Sequence, residues 1–67
     1  MTFKQWVLQF VNEDSPRGDL AVDIQNDKTF PNSSSYNEMY DYLYHMNVSD
    51  PCLHSFDMAW NDYREIK

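Results

Sequence analysis

Large apolar residues in this chain recur at intervals of three and four, and no segment sustains a period of two. Phe3, Trp6, Val7 and Phe10 stand at i, i+3, i+4 and i+7, and Phe56, Ala59, Trp60 and Tyr63 repeat that spacing near the other end. Such spacing lines one face of an α-helix, whereas a half-buried strand alternates. The expected class is all-α.

Punctuation residues divide the chain into four short helices. The first is predicted over residues 2–12, capped by Thr2, with Leu8 and Val11 widening its apolar stripe and Asn12-Glu13-Asp14 as a polar exit. The second starts at Ser15. A serine N-cap accepts from an orphan backbone N–H, and Pro16 at the first helical position has no N–H to leave unsatisfied. Leu20, Ala21 and Ile24 form its seam, and Phe30, placed before Pro31, must leave the helix and is expected to plug the core. Gly18, the only glycine, costs about 1 kcal/mol relative to Ala inside a helix. Its presence predicts close approach by another segment, such as an aromatic ring. The stretch Asp14 to Pro31 is expected to be the central partner for the more aromatic helices around it.

Ser35 and Glu38 read as a capping box opening a third helix over residues 35–46, with Tyr36, Met39, Tyr40 and Leu43 on one stripe. Asn47 to Pro51 reads as a break, followed by a short Cys52-Leu53-His54 turn. The last helix is expected from Ser55 to Glu65 or Ile66. A continuous helix from Pro51 is the alternative, since Leu53, Phe56 and Trp60 would also share a face.

With 67 residues the chain is expected to form one domain, residues 1–67. So short a chain buries only about 60% of its unfolded surface, and a 16% aromatic content supplies the needed density. Cys52 is the lone cysteine, which excludes an internal disulfide and fits a reducing, cytoplasmic setting. The N-terminus does not read as a signal peptide, and no apolar run approaches the roughly 18 residues that span a bilayer. The net charge is -6, from 11 acidic and 5 basic side chains. Lys4, Arg17, Lys28, Arg64 and Lys67 are scattered and form no basic stripe, so phosphate backbones are repelled.

An ordered set of motifs resembles the YozE family, small proteins of Firmicutes whose fold is described as SAM-like. The set comprises Phe3-x-x-Trp6, Asp19-Leu20-Ala21 with Ile24, Asp27 through Phe30-Pro31, and a Ser-rich loop ahead of Tyr36. It continues with Tyr42-Leu43 and closes with Phe56-Asp57-x-Ala59-Trp60-x-x-Tyr63. Cys52 and His54 depart from the family pattern. The resemblance implies a compact SAM-like bundle of about four helices and supplies no activity, because the family has no established one. SAM-like folds elsewhere serve protein association or nucleic-acid binding, an analogy of fold alone.

Each candidate site meets a plainer explanation. Asp19, Asp23 and Asp27 offer oxygen ligands, but their helical spacing spreads them over about 12 Å, so they read as a solvated acidic face. Cys52, His54 and Asp57 suggest a thiol nucleophile with base and orienting carboxylate, yet residues two apart on a helix diverge by about 200°. His45 and His54 with Cys52 lack the paired spacing of a zinc site, and His45 reads as a partner for a helix C-terminus. Tyr42 or Tyr44 is the candidate exposed contact. No catalytic, cofactor-binding or metal-binding residue is assigned, no cofactor is expected, and an enzyme is not. The reading that remains is a non-enzymatic protein-interaction module, with nucleic-acid binding as the alternative and an unidentified protein as the partner.

Overall fold

The computed structural model describes residues 1–66; Lys67, one of the five basic residues, lies outside them. Thr2 opens helix α1, Phe3–Val7, with a capping box: Gln5 N–H donates to Thr2 Oγ1 at 3.2 Å, and Thr2 N–H donates to Gln5 Oε1 at 3.0 Å. The chain then tightens into a 3₁₀ turn, Leu8–Phe10, instead of continuing as α-helix to residue 12. The tightening begins a reversal, in which Glu13 N–H donates to Phe10 O at 2.9 Å and Ser15 N–H donates to Glu13 O at 3.1 Å.

Helix α2, Pro16–Asn26, starts as its sequence predicts, with Ser15 Oγ accepting from Gly18 N–H at 3.1 Å. A Cβ on Gly18 would lie 1.8 Å from Glu13 O and 3.0 Å from Phe10 O. Close approach is therefore the reason for the glycine, but the neighbour is the backbone of the reversing turn and not an aromatic ring. Phe30 is 3% exposed and plugs the core as expected.

Helix α3, Tyr36–His45, is capped by Ser35 Oγ, which accepts from Glu38 N–H at 3.4 Å. The reciprocal half of the expected capping box is replaced, because Ser35 N–H donates to Ser33 Oγ at 2.9 Å. The helix ends in a Schellman motif with Asn47 in the left-handed region at φ 58. There Asn47 N–H donates to Tyr44 O at 3.1 Å and Val48 N–H to Leu43 O at 3.4 Å.

Helix α4, Asp50–Ile66, is unbroken, which overturns the expected turn at residues 52–54 and the cap at Ser55. The cap is Ser49, whose Oγ accepts from Cys52 N–H at 3.3 Å and whose carbonyl accepts from Leu53 N–H at 3.1 Å. Pro51 falls in the first turn, where a backbone N–H has no intrahelical acceptor to lose.

At 1.5 Å per residue α4 is about 25 Å long, nearly the full 27 Å extent of the domain. All of α1, α2 and α3 pack on α4, whereas α2 packs on α1, the 3₁₀ turn and α4. The stretch Asp14 to Pro31 shares the centre with α4, because it also reaches α3 through Phe30, whose ring meets Tyr42 at 5.7 Å. Phe3 sits at the meeting point, fully buried, with Phe56 and Tyr63 edge-on to it at 5.3 and 5.7 Å. Leu20, Ala21, Ile24, Met39 and Leu43 complete a contiguous core. The result is an all-α compact bundle of four helices.

Candidate functional site

Helix α2 carries its acidic residues to different ends. Asp19 and Asp23 are exposed on its body, but Asp27 is its C-cap and half-buried. The Asp27 carboxylate accepts from Tyr42 Oη at 2.6 Å, from Thr29 Oγ1 at 2.8 Å and from Thr29 N–H at 3.0 Å. These bonds, Tyr42 first and then Thr29, hold the carboxyl below the usual aspartate range. Asp27 is a structural tie and leaves the solvated face to Asp19 and Asp23. Of the two candidates for an exposed ring, Tyr42 is half-buried and packs edge-on against Phe30 at 5.7 Å. Tyr44 is the exposed one, at 64%, beside Met46 at 56%.

The thiol, imidazole and carboxylate near the start of α4 do not converge. Cys52 is half-buried, and burial followed by the charge of Asp23 pushes its thiol pKa up, away from the thiolate a nucleophile needs. His54 is exposed two residues on, and the Asp57 carboxylate accepts the Tyr36 hydroxyl. That bond, with burial second, pushes the Tyr36 phenol up to about 12. His45 Nδ1–H donates to Asp41 O at 2.7 Å in the last turn of α3, a capping role. Among the described residues no group of three or more His, Cys, Asp or Glu is placed to hold a metal ion.

Arg17 is the residue that sequence reasoning missed. Its guanidinium makes a two-point pair with Glu13, Nε to Oε2 at 2.9 Å and Nη2 to Oε1 at 2.7 Å. It lies 3.8 Å from the Phe10 ring centroid and 5.8 Å from that of Trp6, within range of a cation–π contact. Nη1 also reaches Asp62 on α4 at 3.7 Å. The pairing with Arg17, aided by Ser15, lowers the Glu13 carboxyl to about 2. The signal was legible as Glu13-x-x-x-Arg17 ahead of an apolar helix, but only the fold brings Phe10 and Asp62 to it.

The family profile of the YozE SAM-like fold matches residues 2–65. The chain belongs to the YozE SAM-like fold family. The match spans every motif from Phe3 to Tyr63 and all four helices up to the last residue of α4. No curated protein and no solved structure matches the chain. Membership in the YozE family therefore fixes the fold class, and function has to be argued from the surface. Among the described residues no helix is long and apolar enough to cross a membrane.

Proposed function

We infer that this domain is a cytoplasmic, non-enzymatic module that works by contact with another protein. The observation that carries the reading is the distribution of charge. Exposed carboxylates stand on α2, α3 and α4, including Asp19, Asp23, Glu38, Asp41, Asp62 and Glu65. Arg17, by contrast, is engaged within the molecule by Glu13 and Asp62. A surface of this kind repels phosphate and favours a basic protein partner.

Nucleic-acid binding is the second reading, and one observation favours it. Tyr36, Trp60, Asn61 and Arg64 line a shallow hollow on α3 and α4, and aromatic rings with an arginine can stack on bases. Asp57 shares that hollow, and one guanidinium is too little to follow a phosphate backbone. Affinity capture from the native cytoplasm with mass-spectrometric identification tests the first reading, which expects a stoichiometric protein. Finding no such protein overturns it. A mobility shift on single- or double-stranded nucleic acid at low salt, abolished as salt rises, would establish the second instead.

A further inference from the structure

The seam between α2 and α4 is concave along its outer side, and its hollows share walls. A cleft of about 410 Å³, bordered by Arg17, Met58 and Asp62, meets one of about 180 Å³ at Pro16 and Ser55. The second meets a third of about 120 Å³ at Leu20, Asp23 and Cys52. Together they form one groove along α2, whose axis is about 16 Å long.

The groove has an apolar floor and an acidic rim. Leu20, Pro51, Cys52 and Met58 contribute to the floor, and Met58 is 53% exposed. The rim carries Glu13, Asp14, Asp19, Asp23, Asp27 and Asp62. Among the described residues the one cation that lines it is Arg17, already paired with Glu13 at 2.7 Å and Asp62 at 3.7 Å. Among the described residues Asp14, Asp19 and Asp23 have no ion partner.

We propose that this groove docks a lysine- and arginine-rich amphipathic segment of a partner protein. The proposal rests on the contact reading above and names the partner's chemistry. Apolar side chains of the segment cover the floor around Met58, and its cations pair with Asp14, Asp19 and Asp23. A second copy of this chain is a poor occupant, because Lys4, Lys28, Arg64 and Lys67 form no basic run.

The test is an NMR titration of the isotope-labelled protein with a synthetic amphipathic leucine–lysine peptide, and with its leucine–glutamate counterpart. Shift changes are expected to cluster at residues 16–27 and 51–62, with the lysine peptide only. Asp19→Lys/Asp23→Lys is expected to weaken binding about tenfold or more, and Glu38→Lys/Asp41→Lys, the same charge change on α3, by less than about threefold. Equal weakening by the two variants, or shifts centred elsewhere, overturns the groove. Capture from cytoplasm separates this failure from that of the contact reading. A partner retained equally by wild type and the groove variant overturns the groove and upholds contact. A partner lost only with the groove variant supports both.

Discussion

Gly18 has no room for a methyl group, because the nearest atom to a Cβ is a backbone oxygen that no rotamer change can move. Gly18→Ala is expected to cost about 3 kcal/mol in urea denaturation, the upper end for overpacking, while exposed Asp23→Ala stays within about 0.5 kcal/mol. Phe30→Ala removes a buried ring and should cost about 3–5 kcal/mol, most of the stability of so small a domain. Charge at Glu13 adds a pH dependence. Its folded carboxyl titrates at about 2 against an ordinary 4.5, so the unfolded chain binds the extra proton between those values. Stability is fully present above pH 4.5 and falls as pH drops toward 2. Glu13→Gln should flatten that acid limb of the urea midpoint; an unchanged slope would show that the Arg17 pair is not its source. The Tyr36 phenol behaves in the opposite sense. Its pKa is raised from 10.0 to about 12, so its contribution is present below pH 10 and lost as pH climbs through 12.

At the scale of elements, helix existence was legible, but the end of the first helix and the start of the last were not. The spacing of Phe3, Trp6 and Val7, the Ser15-Pro16 start and the Tyr36-to-Leu43 stripe all correspond to helices in the structure. Pro51 misled because proline interrupts a helix interior but is tolerated in a first turn, and sequence spacing alone does not say which applies. The decisive residue was Asn47, whose left-handed backbone closes α3 early enough for Ser49 to cap α4. Ser49→Ala is therefore expected to lose about 1 kcal/mol, and Ser55→Ala, inside the helix, close to nothing. Amide hydrogen exchange gives a second check, with Ser55 and Phe56 protected to the same degree as the middle of α4.

At the scale of the whole molecule, an excess of six negative charges opposes compaction. Raising ionic strength from about 0.01 M to about 0.15 M shortens the screening length from about 30 Å to about 8 Å, so the melting temperature is expected to rise. Less of the candidate surface than of the fold could be read from the chain. The acidic residues are visible one by one, but Asp62 and Glu13 share a cleft only because α2 lies along α4. Likewise Tyr42 and Tyr44 look alike in sequence, and only the fold separates the half-buried Tyr42, tied to Asp27, from the exposed Tyr44. The central claim is that this acidic surface meets a protein. It is tested most directly by crosslinking inside the native cell, with a photoreactive residue placed at Met58 and, separately, at Glu38. The account predicts a discrete protein adduct from Met58 and none from Glu38. Adducts to nucleic acid, or no discrete adduct from either position, would contradict it.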